Sequence, residues 1–310
     1  YELTHLYFIN FTKYGILMTQ NYKYLSRYRF SRPLRKIINR INHKYASKNI
    51  ERGNPRIAIF AFDHIGLEIN NFGIYEEDLL NAIMSFLKDK LNHKKLSTFI
   101  DVGANIGNHS LYFSKISKKV FSFEPNPNTY ELLKFNTRNI TNINIFNIGI
   151  SNKNEKKFLN ESNFNIGDSS IVSSIEMQNV KEDGTIFHEI NSFKLDDIKD
   201  FANEEISMIK IDVEGHELEV MVGAKELIKK NKPLLIFEHN IEVNKEQALK
   251  INDFLEQLDY VIYLIQPNFN LFSNPFSKFI GGMMRFILGE KLIFHKTDKL
   301  PHKNFPGFQL

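Results

Sequence analysis

From Thr98 onward the chain alternates short apolar runs with amphipathic helical stretches, and this rhythm constrains the fold more than any other feature of the sequence. Apolar runs at 98–102, 120–123, 143–148, 207–211 and 234–237 predict strands; helical spacing predicts helices over about 108–117, 127–139, 216–230 and 245–257. Strands separated by helices imply βαβ units. The expected fold is therefore α/β, a doubly wound, mostly parallel sheet with helices on both faces. The stretch 151–200 breaks the rhythm and is expected to insert a β-hairpin. Runs at 258–265 and 292–295 are late strand candidates, joined by an irregular connection containing Gly281-Gly282 and Met283-Met284.

Upstream of Thr98 the pattern differs. Residues 57–62 and 65–69 look like two short strands around Asp63-His64, and 76–91 has apolar residues at helical spacing. Residues 1–56 hold 12 Lys/Arg against Glu2 and Glu51, and seven of the twelve tyrosines. The remainder, with 28 basic and 34 acidic residues, is mildly acidic. Within this leader, 24–41 reads as an amphipathic helix in which Pro33 marks a break or a start, and 48–55 reads as a linker. The expected organisation is a basic helical leader (1–56), lead-in strands and a helix (57–96), and a catalytic α/β domain (97–310) with an irregular tail from about 265. The leader suits a dimerisation or packing helix or an anionic membrane surface; nucleic acid ranks last, because no recognition motif accompanies it. With zero Cys, thiolate metal sites and Cys nucleophiles are excluded. No apolar run approaches the roughly 18 residues of a membrane helix, and the N-terminal stretch is not signal-like. A cytoplasmic protein is expected, with the inner membrane surface as an alternative.

The segment Phe99-Ile100-Asp101-Val102-Gly103-Ala104-Asn105-Ile106-Gly107-Asn108-His109 carries the chemistry. A buried strand ends in an acid, a Gly-x-Asn-x-Gly turn follows, and a helix begins. Glycines permit a tight turn and close ligand approach, and a helix start favours an anion. A dinucleotide fingerprint would place glycines where Asn105 and Asn108 stand. Asp101 also sits badly beside a pyrophosphate and well beside an ammonium group. A ligand with an amine, a carboxylate and a nucleoside meets both requirements, and S-adenosylmethionine is that molecule. Glu124, ending the second strand, is suited to accept both ribose hydroxyls. Asp212 and Gly215 repeat the strand–acid–glycine grammar, and Glu238-His239 end a third strand. In such a sheet Asp101, Glu124, Asp212, Glu238 and His239 would share one rim at the strands' carboxyl ends. Asp212, Glu238 and His239 are metal-compatible ligands, but their spacing specifies no site.

These motifs resemble the FkbM-type family of S-adenosylmethionine-dependent methyltransferases, in the seven-stranded Rossmann-like class. The matching pieces are FIDVGANIGNHS (99–110), VFSFEPNP (120–127), INIFNIGISN (143–152), GDSSI (167–171), Leu195-Asp196-Asp197, IKIDVEGHE (209–217) and the approach segment 71–76. The resemblance covers about residues 70–240. It implies that Asp101, Gly103, Asn105 and Gly107 line the methionine and ribose side of the cofactor, and that Glu124 takes the ribose diol. It further implies that Asn147-Ile148 and Asp168-Ser169 flank the adenine and that Tyr75 and Glu76 cover the amino-acid end. Asp212 and Glu214 would face the methyl group and acceptor, a hydroxyl of a sugar, glycan or other natural product.

An alcohol needs its proton removed to become a good nucleophile, so a general base is expected at Asp212 or His239, with Glu238 orienting the acceptor. Competing readings are an NAD(P)-dependent oxidoreductase, disfavoured by Asp101 and the missing glycines, and a non-catalytic nucleotide-binding module.

Overall fold

The computed structural model describes residues 31–61, 63–91, 96–161, 170–172, 186–201, 203–238, 245–267, 292–297 and 300. The chain divides into two compact units, Tyr1–Lys44 and Tyr45–Leu310. The first is represented by the N-terminal part of helix α1 (Arg32–Glu51), which has Pro33 in its first turn, where a fixed φ and a missing N–H are favourable. The helix continues through 48–51, where the sequence suggests a linker.

The second unit is built on β1 (Leu96–Val102), β2 (Ser117–Phe123), β3 (Ile143–Phe146), β8 (Ile206–Ile211) and β9 (Leu234–Phe237). They pair in the order β3-β2-β1-β8-β9, and every neighbouring pair is parallel. Alternate residues supply the two faces. Phe99, Val120, Met208, Leu234 and Ile236 pack with Leu80, Ile83 and Leu87 of α3 (Glu77–Leu91) and Phe113 of α4 (Asn108–Ser114). Ile100, Val102, Phe121, Phe123, Ile209 and Ile211 pack with Val220 and Met221 of α6 (Glu217–Gly223), Ile228 of α7 (Lys225–Asn231) and Phe254 of α8 (Lys245–Gln257). With both faces covered, the strands are largely apolar, as the apolar runs in the sequence require. The doubly wound expectation is thereby met.

Several local expectations change. The run 65–69 is not a strand: it lies in α2 (His64–Phe72), whose buried Gly66 and Ile69 share one helical face, and left-handed Gly73 ends it. Residues 57–60 form no strand either. Asn136 of α5 (Pro127–Thr137) clamps Ala58 instead, accepting from its N–H at 2.6 Å and donating to its carbonyl at 3.0 Å. The helix expected over 216–230 breaks at Ala224 into α6 and α7. Gly223 lies so close to Ser151 that a Cβ would stand 2.0 Å from the Ser151 carbonyl oxygen. Asp196 then caps α7 by accepting from the N–H groups of Glu226 and Leu227.

The 151–200 region forms the expected β insertion. Here β5 (Glu155–Glu161) pairs antiparallel with β6 (Ser170–Val172) and β7 (Ile186–Phe193), and β7 pairs parallel with β4 (Gly149–Ile150). The predicted run 143–148 ends early, at Phe146, and the chain passes into the second sheet at Gly149. The late strands β10 (Ile262–Pro267) and β11 (Leu292–Thr297) form a separate antiparallel pair. Among the described residues the central sheet thus has five hydrogen-bonded strands rather than seven. Ile262 and Leu264 nevertheless reach one core and Ile265 the other, and Phe294 stacks on Phe86 of α3 at 5.1 Å. The connection 268–291, with Gly281-Gly282 and Met283-Met284, lies outside the described residues.

Candidate cofactor and acceptor site

The chain runs from β1 outward through β2 to β3, then returns to β8 on the opposite side of β1. The strand order therefore switches between β1 and β8, where open α/β sheets bind ligands beyond their carboxyl ends. The register places Val102 beside Phe123 and Ile211, and Ile211 beside Phe237. Gly103, Glu124, Asp212 and Glu238 thus leave the sheet at one level; Asp101, expected on the same rim, instead lies inside β1 and is fully buried, because the strand runs on through Val102.

Gly103 and Asp212 define the crevice floor. At Gly103 the φ is 77°, and an added Cβ would stand 1.8 Å from the Asp212 carbonyl oxygen, so only glycine allows the two loops to approach. Gly107, at φ 95°, starts α4, and a Cβ there would meet Leu133 Cδ1 at 2.8 Å. Its small size serves packing against α5. Asn105 is also left-handed, at φ 50°. Its amide oxygen accepts from Ile106 N–H at 2.7 Å, and its own N–H donates to Glu124 Oε2 at 2.9 Å.

Glu124 is buried, and Asn126 N–H holds its second oxygen at 2.9 Å. Burial pushes its carboxyl up to about 7, although these two backbone donors oppose the shift. Asn126 also caps α5 and donates through Nδ2 to Glu161 of β5 at 2.9 Å, with His188 Nε2 2.9 Å from the same oxygen. The insertion therefore buttresses the loop that holds Glu124. Asn147 donates to the Glu124 and Pro125 carbonyls at 2.8 and 3.1 Å, while Ile148 packs against the core. Asp168, Ser169 and His239 lie outside the described residues.

Beneath the crevice is a polar island that sequence reasoning missed. Asp101, fully buried, faces Ser122 on β2 and Lys210 on β8 in strand register. Ser110 Oγ of α4 donates to Asp101 Oδ2 at 2.6 Å and lies 2.8 Å from Ser122 Oγ. Lys210 Nζ donates to Asp212 Oδ2 at 3.0 Å and stands 3.7 Å from Asp101 Oδ1, which is buried without a hydrogen bond of its own. Burial opposes the charge on Lys210, but Asp212 and Asp101 overcome it and hold its pKa above the ordinary lysine range. Burial likewise would raise Asp212, but Lys210 overcomes that and holds its carboxyl below the usual value. The signal in the sequence is a lysine inside an otherwise apolar strand, Met208-Ile209-Lys210-Ile211.

The approach segment closes the site from the other side. Asn108 locks Tyr75 through both backbone groups, at 3.1 and 3.0 Å. Glu76, left-handed at φ 55°, pairs with buried His109 at 3.2 Å. Desolvation raises the Tyr75 hydroxyl pKa, and Glu76, Glu68, Asp212 and Glu238 add to the effect. Glu238 keeps solvent access, yet desolvation, then Asp212 and Glu76, push its carboxyl up. Glu214 is exposed on the left-handed turn before α6, with φ 50° at Glu214 and 93° at Gly215. Among the described residues, no group of three or more His, Asp or Glu is placed to hold a metal ion.

The chain is thus a doubly wound α/β domain with an acid–glycine crevice at its switch point, the place where this class of fold binds its ligands. The methyltransferase FkbM domain model matches residues 101–262, and the chain belongs to that family. Hexuronic acid methyltransferase AglP of Haloferax volcanii is 30% identical over 132 residues, which cover 40% of this chain and 48% of that protein. The 2-O-methyltransferase NoeI of Sinorhizobium fredii is 29% identical over 173 residues, covering 51% of this chain and 70% of that protein. The chain thus spans about half the length of the first relative and more of the second. Among solved structures, methyltransferase FkbM from Methylobacillus flagellatus is similar at 18% identity with a TM-score of 0.40, covering 55% of this chain and 40% of that one.

Proposed function

We propose that this chain is an S-adenosylmethionine-dependent O-methyltransferase acting on a hydroxyl of a sugar or glycan. One observation carries the reading: Asp101 Oδ1, buried and without a hydrogen bond, lies beside the Gly103 turn at the switch point. Two carboxylates, Asp101 and Asp212, surround one ammonium, Lys210, which leaves one negative charge for a second cation. An aminoacyl ammonium meets that need and a pyrophosphate does not. Glu124, fixed by two backbone amides, is set to accept a ribose diol. Tyr75, Glu76, Asn105 and Gly107 complete the cofactor's surroundings, with Asn147-Ile148 toward the adenine, where the family resemblance also implies Asp168-Ser169.

The cofactor, when bound, supplies an electrophilic methyl group on a sulfonium, so the residues' task is to orient an acceptor and take its proton. Lys210 keeps Asp212 ionised and weakly basic, which favours an orienting role toward the acceptor hydroxyl. Glu238, whose proton affinity is raised, is better suited to accept the proton, with His239 next to it in sequence and Glu214 on the turn before α6. The names of the relatives, a hexuronic acid methyltransferase and a 2-O-methyltransferase, support a sugar hydroxyl as acceptor.

The test is methyl transfer from labelled S-adenosylmethionine onto a panel of neutral sugars, uronic acids and envelope glycans. Asp212→Asn, Glu238→Gln and His239→Ala each separate turnover from cofactor affinity. A substitution of the proton acceptor lowers turnover by about 100-fold or more with cofactor affinity retained. Unchanged turnover in all three places the base elsewhere. No transfer to any acceptor, with intact cofactor binding, removes the sugar assignment.

A further inference from the structure

Helix α1 carries an exposed apolar stripe framed by basic residues. At 100° per residue, Leu34, Ile37, Ile38, Ile41 and Tyr45 fall within about 100° of arc. Their exposures are 61, 57, 46, 49 and 55%, so the stripe faces outward along three turns. Arg32, Arg35, Lys36, Arg40 and Lys44 occupy the remaining circumference and its borders, and Lys48 follows at the end of the stripe. The only acid in the helix is Glu51 at its last position. No acidic residue occurs between Leu3 and Ile50.

We propose that α1 lies in the interface of an anionic lipid surface, its stripe immersed among the acyl chains and its arginines and lysines against phosphate headgroups. The chemistry selects this occupant over others. Two such helices packed stripe to stripe would bring Arg40, Lys44 and Lys48 against like charges, which disfavours a second copy. A nucleic acid would use the basic residues and leave the stripe in water. No helix among the described residues is long and apolar enough to cross a membrane, so α1 lies on the bilayer rather than spanning it. Each basic residue near an anionic surface contributes about 1 kcal/mol, and the stripe adds apolar burial, so the two together favour stable attachment. The attachment does not depend on the proposed methyl-transfer activity.

The experiment is co-sedimentation of the full chain with vesicles of mixed phosphatidylglycerol and phosphatidylcholine, against phosphatidylcholine alone. The protein pellets with the anionic vesicles, and the pelleted fraction falls as salt rises. The exposed-site variants Ile37→Glu/Ile41→Glu and Lys36→Glu/Arg40→Glu each weaken binding by about tenfold or more. Sedimentation equilibrium is run in parallel on all three proteins. No pelleting of the natural chain, or variants that pellet equally well, overturns the inference. So does a dimer that the Ile37→Glu/Ile41→Glu variant dissociates, since a second copy would then occupy the stripe.

Discussion

Lys210 and Asp101 are neighbours in strand register, both buried, with Nζ 3.7 Å from Oδ1, and the lysine donates instead to Asp212 at 3.0 Å and to the Gly103 carbonyl at 3.5 Å. One ammonium therefore holds together the ends of β1 and β8 on either side of the switch point. A buried charge stripped of its partner is costly, and here removing the lysine would strand two carboxylates.

Lys210→Met is accordingly expected to destabilise the protein by about 3 to 5 kcal/mol in urea unfolding. The double variant Lys210→Met/Asp212→Asn recovers part of that loss, because one of the two carboxylates is then neutral. A single variant within about 1 kcal/mol of the natural protein would show that the island contributes no net stability.

The pH dependence of cofactor binding follows from Glu124. Its carboxyl is pushed up to about 7, so it gains a proton as pH falls through neutrality. A protonated carboxyl cannot accept from the two backbone amides and a ribose diol together. Affinity for S-adenosylmethionine is expected to drop between pH 7 and pH 5.5, by at most about tenfold per unit for one proton. Calorimetry across that range checks it, with Glu124→Gln giving a weaker but flatter profile. A flat profile for the natural protein contradicts the assignment.

These two residues mark what the sequence can and cannot disclose. Alternating apolar runs announce five strands and their parallel pairing, because strands buried on both faces must be largely apolar; their order in the sheet is seen only in the structure. Gly103, Glu124 and Asp212 are legible because each follows such a run, and Asp101 because it stands one residue before the Gly-x-Asn-x-Gly turn. Lys210 is not, since a charged residue within a buried strand is explained only by its cross-strand neighbour, and register is invisible in one sequence. The lead-in resembles strands because Ile57, Ile59, Ile65 and Ile69 suit either period. Asn136, 78 residues from Ala58, decides the first segment, and the helical face of Gly66 and Ile69 decides the second. The break at Ala224 likewise depends on Ser151 and Asp196, both distant in sequence.

A second titration belongs to His216, at the start of α6. Its Nε2 lies 2.8 Å from Ser151 Oγ and 3.2 Å from Lys157 Nζ, joining the insertion to the loop after Asp212. Burial, then Lys157, lowers its pKa to about 4. The unfolded chain takes up this proton near pH 6.5 and the folded chain only near 4. The stability at stake is thus fully present above pH 6.5 and lost as pH falls toward 4. Its loss amounts to about 2 to 3 kcal/mol between pH 7 and pH 4.5. Denaturant unfolding at a series of pH values should show a one-proton slope that His216→Gln removes. Equal slopes for both proteins would mean that His216 takes up its proton at the same pH in the folded and unfolded chains.

The central claim, that the crevice between β1 and β8 holds S-adenosylmethionine, is tested most directly by titration calorimetry with that cofactor and with NAD and NADP. One-to-one binding of S-adenosylmethionine, weakened in Asp101→Asn and Glu124→Ala variants that remain folded, is the predicted result. Binding of NAD or NADP with no response to S-adenosylmethionine would contradict it.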